Sequence, residues 1–346
     1  MKAEMTSMER TLTAMRHMEP DRVPLLLSLT MHGAKALGLS IQSYYSKADN
    51  IVKGQLMLRE RYGHDILNTF THASAEFEAF GGTTTYYENG PPNSGEPVLR
   101  AMEDIESLEA PDPKDHEGLK VVVEATRKLC EKVGPEVPII GVVVSPFSLP
   151  VMQMGFENYF DLMYNETKAF ERLVRINETF STELANLQLE AGATAMVLFD
   201  PVSSTTIIPR DKYIETGFRS AKRTIRSIKG PVLTHFASGR ILPIIDKVIE
   251  TGTVGVGVST DEDMGTMKRA CGNRLTLVGN LNGVQMPIWT ALDVEREVKE
   301  AVHKAAPGGG FILSDNHGEI PFQVPDRTIE LIAESSRRFG TYPIKV

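Results

Sequence analysis

Residues 231–260 read PVLTHFASGRILPIIDKVIETGTVGVGVST. A short run rich in apolar and β-branched residues (231–236) is followed by an amphipathic stretch (241–250), and a second short run (255–260) comes after it. Short apolar runs are typical of buried strands, whereas apolar residues that recur every three or four positions are typical of helices. The stretch therefore predicts a strand–helix–strand unit with parallel strands.

The same alternation continues in both directions along the chain. Most of the short runs are continuously apolar, as strands are when helices cover both faces of a parallel sheet. Eight such runs with intervening helices predict an α/β fold, a closed (β/α)8 TIM barrel, and a doubly wound open sheet is the alternative. The predicted strands are residues 23–30, 65–71, 138–145, 193–200, 231–236, 255–260, 275–280 and 310–314.

Other segments complete the predicted domain. Residues 1–19 predict a helix ahead of the barrel, and residues 80–99, rich in Gly, Pro and Thr, predict a hairpin inserted after the second strand. No long polar linker divides the chain, so residues 1–346 are predicted to form a single domain. The stretches predicted as helices are residues 157–190, 211–228, 241–250, 291–305 and 326–339.

Composition and missing motifs exclude several classes of protein. The chain has 37 Lys and Arg against 45 Asp and Glu, a net charge of −8, whereas a general nucleic-acid-binding protein carries a basic surface. Cys130 and Cys271 match no paired metal-binding spacing and exclude a disulfide framework, which favours a reducing cytoplasm. The charged N-terminal stretch predicts no signal peptide, and the chain contains no apolar run long enough to predict a membrane span. No Walker loop, helix-opening GxGxxG or GxSxG elbow occurs, so nucleotide binding and serine hydrolysis are unsupported.

Polar side chains follow the predicted strands, at the barrel end where TIM-barrel enzymes carry their active sites. Four histidines, His32, His72, His235 and His317, lie at these strand ends, and acidic residues follow the same strands. Neutral imidazoles beside carboxylates are the ingredients of a divalent-metal site and equally those of acid–base catalysis. Any one of these histidines alone is more simply a hydrogen-bonded loop residue, but their shared position favours a site.

Short motifs occur along nearly the whole chain in a recognisable order. They are Met8-Glu9-Arg10, Pro20-Asp21-Arg22-Val23-Pro24, Arg61-Tyr62-Gly63-His64-Asp65, Glu76-Phe77-Glu78-Ala79-Phe80-Gly81, Gly192-Ala193, Asp200-Pro201, His235, Gly279-Asn280-Leu281 and His317-Gly318. Together they resemble the uroporphyrinogen decarboxylase superfamily. Within it the chain looks most like the corrinoid-dependent methyltransferases, such as methylated-corrinoid:coenzyme M methyltransferase.

This resemblance implies a barrel rim that binds either a tetrapyrrole or a methyl donor and acceptor. In the methyltransferase branch, zinc held by a His-x-Cys pair after strand five and a Cys after strand eight activates the acceptor. Here His235 matches the histidine, Ala237 replaces the nearby cysteine, and His317 replaces the last cysteine. The expected site is therefore a harder one, in which His235, His317 and Asp261 hold zinc or another divalent metal. Glu319 is the alternative carboxylate.

The resemblance and the strand-end positions also suggest the remaining site residues. Among the predicted catalytic residues, Glu76 and His72 orient or deprotonate the substrate, and Asp200 lines the pocket floor by hydrogen bonding. Asn280 shares that floor as a substrate-binding residue. The predicted pocket walls are Ser145, Phe147, Met152 and Phe236.

The function that the resemblance implies is methyl transfer between a small methylated substrate or acceptor and methylcobamide carried by a corrinoid-binding partner protein. A metal-free decarboxylase is the first alternative, with Asp200 or His72 handling protons. Decarboxylases carry an arginine-rich stretch after strand one, but residues 31–36 read MHGAKA, which leaves the carboxylates of a porphyrinogen without bidentate partners. A non-catalytic corrinoid- or ligand-binding relative is the second alternative, favoured by Ala237. Because decarboxylase relatives form dimers through the barrel rim, the resemblance also allows a homodimer as the assembly of this chain.

Overall fold

The computed structural model describes residues 4–345 and shows an α/β fold. The strands are β1 (Leu67–Asn68), β2 (Thr84–Thr85), β3 (Asn93–Ser94), β4 (Ile139–Val144), β5 (Ala195–Phe199), β6 (Val232–His235), β7 (Gly255–Gly257), β8 (Thr276–Leu281) and β9 (Phe311–Asp315). All except β2 and β3 form one parallel sheet in the order β1-β4-β5-β6-β7-β8-β9. Consecutive strands of this sheet are neighbours, which is the topology of a (β/α)8 barrel.

An extended segment at Leu25 and Leu26 closes the sheet into a barrel. Leu25 pairs in parallel with Leu313 of β9, and Leu26 pairs in parallel with Ile66, directly before β1. The Leu26 N–H donates to the Leu313 carbonyl at 2.9 Å, and the Asp65 N–H donates to the Leu25 carbonyl at 2.8 Å. This segment lies within the first predicted strand, so the structure confirms the closed TIM barrel rather than the open sheet.

Helices cover the outside of the barrel. They are α1 (Ser7–Met15), α2 (His32–Leu37), α3 (Ile41–Tyr45), α4 (Ala48–Tyr62), α5 (Ser74–Ala79), α6 (Met102–Ser107), α7 (Glu117–Val133), α8 (Pro150–Met154), α9 (Phe156–Asn165), α10 (Thr167–Glu190), α11 (Arg210–Glu215), α12 (Gly217–Ser227), α13 (Ile245–Glu250), α14 (Met264–Cys271), α15 (Ala291–Ala305) and α16 (Asp326–Gly340). None of those within residues 4–345 is long and apolar enough to cross a membrane.

Three predicted helices begin or break differently from the prediction. The single helix predicted over residues 157–190 is interrupted at Glu166, whose backbone leaves the helical region with φ −126° and ψ 62°. The helix predicted over residues 211–228 is interrupted in the same way at Thr216. The helix predicted from residue 241 starts at Ile245, and residues Leu242–Ile244, which include Pro243, form a separate 3₁₀ turn directly before it.

Helix α1 closes the barrel end opposite the predicted site. Its start is fixed by a capping box, in which the Thr6 hydroxyl accepts from the Glu9 N–H at 3.1 Å and the Glu9 carboxylate accepts from the Thr6 N–H at 2.9 Å. Its end is fixed where Ala14 accepts a hydrogen bond from the Gly310 N–H, directly before β9. The helix predicted over residues 1–19 is therefore shorter than expected, and residues 1–3 lie outside the described part of the chain.

Strands β2 and β3 form the predicted hairpin after the second barrel strand. They are antiparallel, with Thr84 opposite Ser94. The hairpin carries Tyr86, Pro91 and Pro92, and both prolines line the cavity inside the barrel. This insertion therefore contributes to the wall of the candidate site.

Candidate active site

A cavity of about 470 Å³ runs along the inside of the barrel. Residues of α1 line one end, and residues that follow the strands line the other, among them His72, His235, His317 and Glu319. Between the two ends its wall is mostly apolar, although Ser28, Asn68, Thr234 and Ser314 also line it. The strand residues of that wall include Leu26, Ile140, Val197, Leu233, Val278 and Ile312. The polar groups of three predicted site residues therefore meet at one end of an apolar cavity.

His235, the last residue of β6, presents its Nε2 atom to this cavity. The Ala237 N–H donates to His235 Nδ1 at 3.0 Å, and burial lowers the pKa of the ring, so the neutral imidazole carries its proton on Nε2. The ring stacks on Phe199 with 5.9 Å between centroids. Gly257 leaves room for it, since a Cβ at that position would lie 2.5 Å from His235 Cδ2. His235 thus offers a fixed N–H donor.

His317 lies beside His235 on the loop that follows β9. Its Nδ1 shares a hydrogen bond with the Ser238 hydroxyl, and burial lowers the pKa of its ring. The loop is held by Asp315, whose carboxylate accepts the N–H groups of His317 at 2.9 Å and Gly318 at 2.7 Å. A Cβ at Gly318 would lie 3.5 Å from His235 Cε1, so this loop passes directly against the His235 ring.

The predicted three-residue metal site is not formed. The Asp261 side chain is 61% exposed and faces Arg240, with 3.6 Å between Oδ2 and Nη2, and it does not line the cavity. Within residues 4–345 there is no group of three or more His, Cys, Asp or Glu placed to hold a metal. A metal-bound histidine normally donates from its other ring nitrogen, whereas His235 Nδ1 accepts. The residues present therefore do not fit a zinc ion.

His72 also faces the cavity, but both of its ring nitrogens already have partners. Nδ1 lies 2.8 Å from the Ser74 hydroxyl, and Nε2 lies 3.1 Å from the Tyr86 hydroxyl of the hairpin. Tyr45 and Tyr86 flank its ring, and burial lowers its pKa to about 4. This arrangement ties the hairpin to the barrel and favours a positioning role for His72 over proton transfer.

Glu319 is the carboxyl group that the cavity does contain. Its Oε2 accepts a hydrogen bond from the Thr30 hydroxyl, and burial raises the pKa of the carboxyl to about 7. The sequence offered Glu319 only as an alternative to Asp261. Its position directly after His317-Gly318 could have indicated a site residue, because the loop that follows a barrel strand lies at the end where active sites form. The apolar neighbours Phe70, Phe199 and Phe322 line the cavity and were not predicted.

Asp200 supports the site from behind instead of lining it. Its carboxylate accepts from Ser145 Oγ at 2.5 Å and Ser148 Oγ at 2.7 Å, and its N–H donates to the His235 carbonyl at 2.8 Å. Burial raises the pKa of this carboxyl. Ser145 and Asp200 therefore hold the end of β6, from which His235 projects.

The other predicted wall and floor residues lie outside the cavity. Phe147 and Phe236 are buried in the hydrophobic layer between barrel and helices, and Met152 packs against a second apolar cluster there. Asn280 donates to the Ser259 carbonyl at 3.0 Å and lines a separate small cleft together with Asp261. These side chains follow the strands but point away from the barrel axis.

Glu76 also lies outside the cavity, where it serves the fold. One carboxyl oxygen accepts from the Val144 N–H at 2.8 Å, and the other is buried without a partner. Burial raises the pKa of Glu76 to about 8. The carboxyl is therefore protonated in the folded protein at neutral pH, which explains how it tolerates this position.

We expect Glu76→Gln to weaken the pH dependence of stability. With the folded pKa near 8 and the ordinary value at 4.5, the stability contributed by the protonated wild-type carboxyl is full below pH 4.5 and falls as the pH rises towards 8. The slope contributed by one such group is about 1.4 kcal/mol per pH unit. Urea unfolding of both proteins at about pH 5.5 and about pH 8 should therefore favour the variant by a few kcal/mol more at the higher pH. A difference between the two proteins that does not change with pH would contradict this prediction.

Comparisons with known proteins give the following similarities. The chain matches the family model described as Uroporphyrinogen decarboxylase (URO-D) over residues 6–339. It is 26% identical over 260 residues to a uroporphyrinogen decarboxylase of Alkalilimnicola ehrlichii, covering 70% of this chain and 68% of that protein. It is also 26% identical over 351 residues to methylcobamide:CoM methyltransferase MtbA of Methanosarcina acetivorans, covering 97% of this chain and 99% of that protein. The solved structure of a methyltransferase from Methanosarcina mazei superposes with a TM-score of 0.87 at 22% identity, covering 97% of this chain and 99% of that one, which confirms the fold.

Proposed function

The chain belongs to the uroporphyrinogen decarboxylase family, and on that premise we propose that it is a methyltransferase that works with a corrinoid protein. It moves a methyl group between a small molecule in the barrel cavity and the cobalt of a corrinoid carried by the partner. The similarity to a methylcobamide:CoM methyltransferase over nearly the full length of both chains supports this reading. A corrinoid with reduced cobalt needs a reducing environment. Such an environment is consistent with Cys130 and Cys271, which do not form a disulfide.

The observation that carries the proposal is the lack of positive charge in the cavity. No Lys or Arg belongs to its wall among the described residues. Lys35 of α2 does not line the cavity; its Nζ lies over the Phe322 ring, 5.9 Å from the centroid, and pairs with Asp326 at 3.5 Å. A polyacidic porphyrinogen needs basic partners for its carboxylates, since burying unpaired carboxylates is very costly. Decarboxylation of such a substrate is therefore disfavoured.

The chemistry that this chain supplies is positioning and hydrogen bonding. The corrinoid supplies the cobalt that accepts or releases the methyl group. When a methyl group leaves an oxygen or sulfur atom, that heteroatom keeps the bonding electron pair and becomes negatively charged. The His235 Nε2–H donates a hydrogen bond to this heteroatom, which stabilises the developing charge inside the apolar cavity. Asp200 and the Ser145 hydroxyl hold the strand end that carries His235.

Methyl transfer to free cob(I)alamin tests the proposal. The purified protein is mixed with cob(I)alamin and a panel of methyl ethers, methyl thioethers and methylamines, and formation of methylcobalamin is followed by absorbance. We expect protein-dependent methylation with at least one class and no turnover of uroporphyrinogen. Decarboxylation of uroporphyrinogen, or corrinoid binding without methyl transfer from any class, would overturn the proposal in favour of a decarboxylase or a non-catalytic relative.

A further inference from the structure

The distribution of polar groups along the cavity indicates how a ligand lies in it. The histidines and Glu319 occupy the end where the strands terminate, whereas three apolar residues of α1 and the Thr11 hydroxyl line the opposite end, the apolar residues being Met8, Leu12 and Met15. A ligand that fills this space places its heteroatom beside the histidines and an apolar body along the barrel axis. The apolar body of such a ligand would therefore contact the apolar side chains of the barrel interior.

From this arrangement we infer that the small molecule is an uncharged aryl methyl ether or thioether, with its methyl group at the polar end and its ring in the apolar part of the barrel. This inference rests on the proposed function for the transfer itself. It goes further in naming the substrate class and in excluding methyl donors or acceptors that carry a carboxylate, sulfonate or phosphate group.

Charge is the first argument for this class. An anionic group finds no cationic side chain in the wall, and a buried ion without a partner costs far more than apolar contacts return. The only carboxyl group among the described wall residues is Glu319, and one of its oxygens is already engaged by Thr30. A cationic group on the apolar body would lie among aliphatic side chains, away from that carboxyl. The cavity therefore selects a neutral ligand.

Shape and aromatic character are the second argument. The rings of Phe70, Phe199 and Phe322 line the cavity, and Phe199 already stacks on His235. Aromatic walls favour a flat ring that stacks against them over a saturated chain of equal size. A volume of about 470 Å³ leaves room for one ring with a short alkyl substituent pointing towards α1.

Direct binding of three matched probes tests the charge argument without methyl transfer. The probes 4-methoxytoluene, 4-methoxybenzoate and 4-methoxybenzylamine share the ring and methoxy group and differ only in the charge of the opposite substituent. Titration calorimetry of the wild-type protein near neutral pH should show the neutral probe binding at least about tenfold more tightly than either charged probe. Binding of the benzoate or of the amine as tightly as the neutral probe, or more tightly, would overturn the inference.

A second measurement tests the orientation. Met15→Trp shortens the cavity at α1, so it should weaken binding of 4-butylmethoxybenzene by about tenfold or more while leaving methoxybenzene nearly unchanged. Met57→Trp, on the outer surface of α4, is the matched control and should change neither. Equal loss for both probes in Met15→Trp would contradict the orientation. Binding of the neutral probes without any methyl transfer would refute the proposed function alone and leave this inference standing.

Discussion

Replacement of Asp65 by alanine should lower the free energy of unfolding by about 3–5 kcal/mol. The Asp65 side chain is buried, and its carboxylate accepts from Arg10 Nη1 at 2.6 Å and from Arg22 Nη1 at 2.7 Å. It also accepts from the Leu25 N–H at 2.9 Å and the Ser7 hydroxyl at 3.0 Å. Alanine leaves the buried Leu25 N–H without this acceptor and takes away one of the two carboxylates that pair with the buried Arg10, and urea denaturation measures the loss.

Asp326→Ala is the matched control for this prediction. Asp326 also pairs with two cations, Arg61 at 2.6 Å and Lys35 at 3.5 Å, but these side chains are 47% and 41% exposed. Water replaces an exposed partner at little cost, so this variant should lose less than about 1 kcal/mol. Equal losses for the two variants would show that the contacts of Asp65 with Arg10, Arg22 and Leu25 do not fasten α1 and the closing segment to the barrel.

The contacts of Asp65 explain the role of three motifs of the family resemblance. Arg10 belongs to the first motif, Asp21 and Arg22 to the second, and Asp65 to the third. In the structure Arg10 joins Asp21 and Asp65, and Arg22 joins Asp65, at the barrel end opposite the histidines. These three motifs therefore maintain the fold and carry no information about the substrate, whereas the His235 and His317-Gly318 motifs lie in the candidate site.

The barrel could be predicted from the sequence because each strand is covered on both faces. A strand in that environment is a short, continuously apolar run, and all eight runs coincide with strands or, at Leu25 and Leu26, with the segment that closes the barrel. Helix breaks could not be predicted in the same way. The amphipathic pattern continues through Glu166 and Thr216, so the spacing of apolar residues carries no signal for either break, and helix ends are the part of a prediction that local pattern fixes least.

The candidate site was predicted less well. A position directly after a strand tells at which end of the barrel a residue lies, but it does not tell whether the side chain points into the barrel or away from it. His72, His235 and His317 point inwards, whereas Asp261 and Asn280 turn to the outer side of the rim. Strand alternation supplies part of the missing direction. Because His235 points into the barrel, its neighbour Phe236 must point outwards, and it packs in the outer layer. In loops, where Asp261 lies, side chains do not alternate in this regular way, so the sequence does not indicate their direction.

His235→Ala should lower kcat for methyl transfer by about a hundredfold or more, the usual cost of removing a donor that stabilises developing negative charge. The effect should fall on kcat, because the apolar wall rather than the imidazole supplies most of the binding energy. Calorimetric affinity for 4-methoxytoluene should therefore stay within a few-fold of wild type. Transfer rates to cob(I)alamin and the binding titration measure the two quantities separately, and thermal unfolding confirms that the variant is folded.

His235→Gln distinguishes hydrogen-bond donation from metal binding at the same position. The glutamine amide carries an N–H group at nearly the reach of His235 Nε2, so it should recover a measurable part of the activity that alanine loses. A metal ligand would behave differently, because glutamine is a poor substitute for imidazole on zinc, and both variants would then lose activity and bound metal together. Equal inactivity of the two variants, accompanied by stoichiometric metal in the wild type alone, would refute the donor role. Activity of the glutamine variant in the presence of chelator would show that an N–H donor at position 235, and not a bound metal, acts on the substrate.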